Sequence, residues 1–210
     1  TRYIGDWSSD VCSSDLSFMD QFKFLTIFNF EYQLKIYDLV SESIKKDISH
    51  LESKNNINKL DMDEIRNLAF YKQSLDILIE STFLQIYAAL EESLYHECEK
   101  QLIKKNASIS RFETALNEQG YCIDSEHWKA LLNISKIRNC LLHANGRIDI
   151  DRYGIDTKET IKTLNGDANT ILIEIVNLKG HKEDTAKIKI KESFLEYCVI
   201  KIQSFINPQK

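Results

Sequence analysis

The sequence contains only one proline and six glycines in 210 residues. Because proline breaks helices and glycine favours turns, this scarcity argues against a turn-rich β fold and favours long helices. No apolar run reaches the ~18 residues of a membrane-spanning helix, so no membrane span is expected. The Phe-rich stretch 18–30 lacks a basic leader and a small-residue cleavage site, which argues against a signal peptide.

The sequence also lacks paired or clustered cysteines, because its five cysteines are scattered and form no C-x-x-C pair. Cys98, Cys140 and Cys198 stand among apolar residues, so we expect buried thiols and, as the simplest compartment, a reducing cytoplasm. His96 and Glu97 adjoin Cys98, and adjacent helical side chains point in different directions. The sequence therefore predicts no metal site and no cofactor.

A strong positive charge is missing as well, since the net charge is −5 at pH 7. This argues against a broad nucleic-acid-coating surface but leaves room for a small basic cleft. Neither a Gly-rich phosphate loop nor a nucleophile elbow is present. The length suits one good hydrophobic core and is marginal for two, so a single domain over 17–210 is expected.

Residues 1–16 differ from the rest of the chain. Residues 6–16 resemble one translated reading frame of a widely used short-read sequencing adapter. We interpret this segment as an assembly artefact fused to a truncated gene, and a Ser/Asp-rich disordered tail is the alternative. Trp7 and Cys12 therefore carry no functional argument.

Apolar residues at steps of three and four predict a series of helices. The predicted helices are 18–52, 62–104, 108–119, one that begins after Asp124 or Ser125 and ends at Asn145, a short one at 157–164, and 192–206. The second would begin at Asp61 or Asp63, and its length requires either a break or a long spine. A β-rich run and an alternation of apolar and basic residues predict a hairpin near 170–191. The expected fold class is all-α, a helical bundle with a small C-terminal β-hairpin and a final helix.

The segment 137–146, IRNCLLHANG, carries the most chemical information. Arg138 and His143 are five residues apart on a predicted helix, so their directions differ by about 140°. Asn139 and His143 are four apart and share a face. Asn145 and Gly146 follow as a left-handed helix end. The geometry predicts that Arg138 and His143 do not form a site alone on one face.

These residue types suit RNA cleavage without a metal. Arginine binds phosphate through paired hydrogen bonds and offsets charge in the transition state, and histidine is the usual general acid or base near neutral pH. A histidine in a last turn is also often only a favourable C-terminal charge, and the spacing leaves both interpretations open. One helix end supplies a single histidine, so two copies across a two-fold axis would be needed to supply both a base and an acid.

The segment resembles the signature of the HEPN superfamily, R-x(4–6)-H with a polar residue after the arginine. Arg138, Asn139 and His143 match those three positions. The resemblance implies a helical bundle over roughly 18–146 that works as a homodimeric, metal-independent endoribonuclease, such as a toxin, a phage-defence effector or an RNA-processing factor. It assigns His143 as the acid/base, Arg138 as the phosphate binder and Asn139 as the residue that orients them.

Partner predictions follow from the same resemblance: RNA, a second copy, and an antitoxin or nucleotidyltransferase. Some HEPN toxins carry a tyrosine two residues after the histidine as a nucleotidyltransferase target, but here that residue is Asn145. Some members lack nuclease activity, so a non-catalytic module that binds nucleotide, RNA or protein is the alternative function, and a purely structural subunit is a third.

Charged residues near the motif have two interpretations. Lys136, Arg147 and Arg152 could form a basic rim for RNA, or they could be ordinary surface charge. Glu91 and Glu92 could approach the motif from the second helix, although a surface position is the preferred interpretation.

Overall fold

The computed structural model describes residues 18–53, 60–105, 108–178 and 185–207. Within these ranges the chain is a helical bundle with one antiparallel hairpin before a final helix, which confirms the predicted fold class. The elements are α1 (Phe18–Ser53), α2 (Met62–Glu97), α3 (Glu113–Glu118), α4 (Glu126–Ala144), α5 (Gly154–Asp167), β1 (Ile173–Leu178), β2 (Thr185–Ile190) and α6 (Glu192–Ile206). The adapter-like segment 6–16 lies outside the described residues.

Helices α1 and α2 are the two longest elements, and each has 36 residues. Of the two predicted start residues of α2, Asp61 is the N-cap. Its Oδ1 atom accepts hydrogen bonds from the backbone N–H groups of Asp63 and Glu64 at 3.0 and 2.8 Å. The Glu64 side chain in turn accepts from the Asp61 N–H at 3.2 Å. This reciprocal capping satisfies donors that the first turn of a helix otherwise leaves unpaired.

Helix α2 ends at Glu97, so the predicted segment 62–104 is broken there, which is the first of the two alternatives that its length allowed, and it is not one helix to residue 104. Cys98 adopts an extended conformation with φ −90° and ψ 142°. The side chain of Gln119 donates to the free Glu97 carbonyl at 2.6 Å, and the Tyr121 hydroxyl donates to the Glu97 carboxylate at 2.8 Å. Partners from the next part of the chain thus satisfy the helix end, and the break lets the chain turn back over α2.

Two other predicted helices have different bounds in the structure. The segment predicted at 108–119 is a 3-10 turn, Ile109–Phe112, followed by α3. Ile109 and Phe112 are both buried at a spacing of three, which matches the three-residue repeat of a 3-10 turn. The short helix predicted at 157–164 is the longer α5, whose buried face extends to Gly154.

Helix α4 runs from a Ser125 cap, whose hydroxyl accepts from the Trp128 N–H at 3.2 Å, to a left-handed Asn145 with φ 50°. Gly146 also has a positive φ, 74°, and its N–H donates to the Cys140 carbonyl at 3.1 Å. The Gly146 carbonyl accepts from the Ile188 N–H of β2 at 2.9 Å. The end of α4 is therefore attached to the hairpin.

The core lies where α2, α4 and α6 meet. Phe83 packs on Phe194 with ring centroids 5.1 Å apart, and Trp128 packs on Phe205 at 5.0 Å. The expected buried thiols are confirmed, because Cys98, Cys140 and Cys198 are buried. This core holds α4, which carries the motif, against α2 and α6.

The hairpin pairs Ile173 with Ile190 and Leu178 with Thr185. The predicted alternation on β2 is confirmed over 187–190, because Ile188 and Ile190 are buried while Lys187 and Lys189 are partly exposed. Lys189 contacts Asp76 of α2 at 2.9 Å, and Lys187 lies 3.8 Å from Glu80 of the same helix. The basic face of the strand thus lies along acidic residues of α2.

Candidate functional site

The candidate site occupies the last two turns of α4. Ile137, Cys140, Leu141 and Ala144 are buried, and this apolar face sets the rotation of the helix. Arg138 and Asn139 are consequently half-buried at the edge of the core, and His143 is exposed in the last turn.

Arg138 faces α2 and has two polar partners. Its Nη1 donates to Asn139 Oδ1 at 3.0 Å, and its Nη2 lies 3.4 Å from Glu91 Oε2. The guanidinium also lies over the ring of Tyr87, 5.3 Å from the centroid. Burial, helped by the negative Glu91, raises the pKa of Tyr87 to about 12, so the phenol is neutral at ordinary pH. The tyrosine thus orients the guanidinium through its ring and supplies no base.

Glu91 also contacts a second arginine. Its Oε1 lies 3.5 Å from Arg111 Nη2, and the Arg111 guanidinium lies 4.7 Å from the centroid of the Phe112 ring. The side chain of Glu91 is only 21% exposed, so the preferred surface interpretation is wrong for this residue. Glu92, the neighbouring acid, is exposed as expected.

Sequence reasoning did not select Arg111, which precedes Arg138 by 27 positions. Arg111 reaches Glu91 because α2 ends at Glu97 and the chain folds back to the 3-10 turn Ile109–Phe112. The only available sequence signal is an arginine beside the buried aromatic residue of a short turn. That signal is too common to indicate a site.

Asn139 connects the two faces of the motif. It accepts from Arg138 on one side, and on the helix it precedes His143 by four positions, so the two share a face. His143 lies where α4 exposes its negative end, close to the Asn145 cap. Arg138 and His143 thus point away from each other on a single chain, as the helix geometry predicted.

A groove of about 1000 Å³ runs beside α4, and Asn139 lines it. Of the three residues in the predicted RNA rim, Lys136 also lines this groove. Arg147 instead forms an ion pair with Asp149, and the Arg152 guanidinium lies 5.5 Å from the Tyr153 ring centroid. The structure therefore brings Lys136 next to Asn139 and directs the other two cations elsewhere.

The groove is not strongly basic. Its lining includes three lysines and four carboxylates, namely Lys129, Lys136, Lys201, Glu126, Asp151, Asp156 and Asp167. The buried Cys140 also borders it. Burial and the negative charge of Asp151 raise the pKa of the Cys140 thiol to about 12, so Cys140 is not a nucleophile at neutral pH.

Among the described residues, no group of three or more His, Cys, Asp or Glu side chains is arranged to hold a metal ion. No helix in the same part of the chain is long and apolar enough to span a membrane. Comparison with known proteins finds no matching family model, no matching curated protein and no matching solved structure.

Proposed function

We propose that this protein is a metal-independent endoribonuclease of HEPN type. The observation that carries the proposal is the arrangement at the end of α4. There the Arg138 guanidinium is hydrogen-bonded to Asn139 at 3.0 Å, and Asn139 shares a helix face with the exposed His143. These are the three residues that match the HEPN signature, and the exposed His143 is open to a substrate.

In the proposed reaction, His143 takes the proton from a ribose 2′-hydroxyl, and the oxygen attacks the adjacent phosphorus. The bond from phosphorus to the 5′-oxygen breaks, and the product is a 2′,3′-cyclic phosphate. Arg138 binds the phosphate and offsets the charge that develops on its oxygens. Asn139 keeps the guanidinium oriented through their hydrogen bond.

The leaving 5′-oxygen needs a proton, and one copy of α4 supplies a single histidine. We therefore propose a homodimer in which His143 of the partner subunit donates that proton. An isologous two-fold interface brings identical helix ends together, which suits a two-histidine mechanism. The wide separation of Arg138 and His143 around α4 supports this arrangement, because one chain alone does not place both groups on one face.

Single-stranded RNA is the proposed substrate, because a flexible backbone reaches the in-line geometry of this reaction more easily than a duplex does. The proposed biological role is that of a bacterial defence or toxin–antitoxin effector, with an antitoxin as a partner.

A second candidate is a non-catalytic module that binds nucleotide, RNA or protein. Arg138 already has an acidic partner, Glu91, and lies on a different face from His143. An arginine held in this way can bind a ligand without taking part in catalysis. This function needs neither the dimer nor a proton transfer.

The test uses single-stranded RNA with a chelator present and compares His143→Ala and Arg138→Gln with matched controls. His50 lies in the last turn of α1, and Arg66 lies in the first turns of α2 with its side chain 76% exposed. We expect about a hundredfold loss of cleavage or more in each site variant, and no loss in His50→Ala or Arg66→Gln.

Mass spectrometry of the wild-type products should find a 2′,3′-cyclic phosphate. Cleavage that survives both site substitutions, or that requires an added metal, contradicts the nuclease proposal. RNA binding without cleavage by the wild-type protein favours the non-catalytic module.

A further inference from the structure

The cluster around Glu91 contains more positive than negative charge. Arg111 and Arg138 contact opposite oxygens of this one carboxylate, at 3.5 and 3.4 Å. Charged hydrogen bonds between guanidinium and carboxylate groups are usually about 2.7–2.9 Å long, so both contacts are loose. One carboxylate shared by two guanidiniums leaves an excess of one positive charge. The groove beside α4, in contrast, contains more carboxylates than lysines.

Both arginine side chains are partly exposed, and an aromatic ring restricts each guanidinium. The Arg111 side chain is 33% exposed and that of Arg138 is 28% exposed, so solvent reaches part of each. Phe112 lies against the Arg111 guanidinium and Tyr87 against that of Arg138. Stacking on a ring restricts the plane of a guanidinium without using its N–H donors.

Arg111 also has an unused donor. Its Nε atom is buried and has no hydrogen-bond partner among the described residues. A buried donor without an acceptor is unfavourable, and native proteins contain few of them. Nε and Nη2 together form the edge with which arginine grips two oxygens of a phosphate. Nε is buried and Nη2 lies 3.5 Å from Glu91, so a phosphate oxygen reaches this edge once the Arg111 side chain shifts, and it then supplies the acceptor that the protein does not provide.

We propose that Arg111 and Arg138 together form a binding site for one phosphate group, with Glu91 holding the two guanidiniums on either side of its carboxylate. The inference rests on the proposed nuclease function only in identifying this phosphate as part of an RNA backbone. Arg111 thereby becomes a second phosphate-binding residue, supplied by the 3-10 turn Ile109–Phe112.

Binding is measured apart from cleavage, with a fluorescent single-stranded octanucleotide that carries 2′-O-methyl groups and cannot react. The full chain is compared with Arg111→Gln, Arg111→Lys, Arg138→Gln and the control Arg66→Gln. The Arg66→Gln substitution removes the same charge at a position roughly 37 Å from Glu91 along the axis of α2. Fluorescence anisotropy over a range of salt concentrations gives both the affinity and its salt dependence.

We expect Arg111→Gln and Arg138→Gln each to weaken binding by about tenfold, since each removes charged hydrogen bonds to phosphate. Arg111→Lys should weaken it by about threefold, because lysine keeps the charge but lacks the two-pronged geometry. The slope of log affinity against log salt should fall by about 0.7 in Arg111→Gln. Arg66→Gln should remain within about 1.5-fold of the wild type.

A second arm titrates inorganic pyrophosphate against the bound octanucleotide. If pyrophosphate displaces the octanucleotide from the wild type and does so less effectively from Arg111→Gln, the two-arginine site binds both free phosphate and RNA phosphate. If pyrophosphate displaces the octanucleotide equally well from the wild type and from Arg111→Gln, the proposed site is overturned. Thermal unfolding shows which variants are folded. If Arg111→Gln is not folded, binding by Arg111→Lys is the test of the proposed site.

The inference is overturned if Arg111→Gln and Arg111→Lys both bind the octanucleotide as tightly as Arg66→Gln does. If cleavage requires Arg138 and His143 but not Arg111, the two-arginine site is refuted and the nuclease proposal stands. If no RNA is cleaved but Arg111→Gln still weakens pyrophosphate binding, the nuclease proposal is refuted and the two-arginine site stands.

Discussion

The attachment of α4 to the hairpin depends on Gly146, and three glycine substitutions test its strength. Gly146 has φ 74°, and a Cβ atom there would lie 3.2 Å from both Ile188 Cγ1 and Lys187 Cε. Gly120 has a similar φ of 83°, but a Cβ atom there would have nothing within 4 Å. Gly166 lies in α5 with open space around the added Cβ position. Substituting alanine at these three positions separates the effect of backbone strain on stability from the effect of crowding by neighbouring side chains.

The expected changes in the free energy of unfolding follow from these geometries. Gly166→Ala should stabilise the protein by about 0.5–1 kcal/mol, because alanine is the better helix former. Gly120→Ala should destabilise it by about 1 kcal/mol, because left-handed strain outweighs the smaller entropy of the unfolded chain. Gly146→Ala adds crowding against β2 to the same strain, so a loss of about 2–3 kcal/mol is expected. This loss lowers the Tm by roughly 5–10 °C in a chain of this size.

Thermal unfolding gives the order of stability, and amide hydrogen exchange locates the change. The Ile188 amide donates to the Gly146 carbonyl at 2.9 Å, so its exchange should accelerate in Gly146→Ala but not in Gly120→Ala. If Gly146→Ala is no less stable than Gly120→Ala, the hairpin does not anchor the end of α4, and the reasoning is refuted.

Two further predictions concern the charged cluster and its tyrosine. Glu91→Gln removes the negative charge between the two arginines, so binding of the 2′-O-methyl octanucleotide should tighten by about threefold. The exposed Glu92→Gln is the matched control, and equal effects of the two would contradict the proposed site. Tyr87 has a pKa raised to about 12 by burial, so its contribution to stability is present below its unfolded value near 10 and is lost as pH rises towards 12. Wild-type stability should therefore fall across that range in alkaline denaturation, and Tyr87→Phe should flatten the fall, while an unchanged slope would contradict this assignment.

Helix positions could be predicted from the sequence because helices depend on contacts between residues three and four apart. The apolar spacing predicted α1, α4 and α6 nearly as they are, and the alternating lysines predicted β2. The boundary errors occur where distant residues intervene. The length of 62–104 left room for a break but did not locate it, and the end at Glu97 is satisfied by Gln119 and Tyr121, which lie outside that stretch.

Part of the candidate site could likewise be predicted. Arg138, Asn139 and His143 lie on one helix, so their relative directions follow from helix geometry alone. The positions of Lys136, Arg147 and Arg152 were harder to predict, because their directions depend on which partner each one meets. Arg147 meets Asp149 two residues later, whereas Lys136 faces the groove.

The sequence by itself determined the order of the helices, the capped start of α2, the ends of α4 and the spacing within the motif, because these features depend on short stretches of chain. Only the tertiary structure placed Glu91 between Arg111 and Arg138, which are distant from one another in sequence. That arrangement depends on where α2 ends, how the next turn folds back and how the buried face of α4 rotates the helix. Each of these is a property of packing between segments, and no local pattern encodes it.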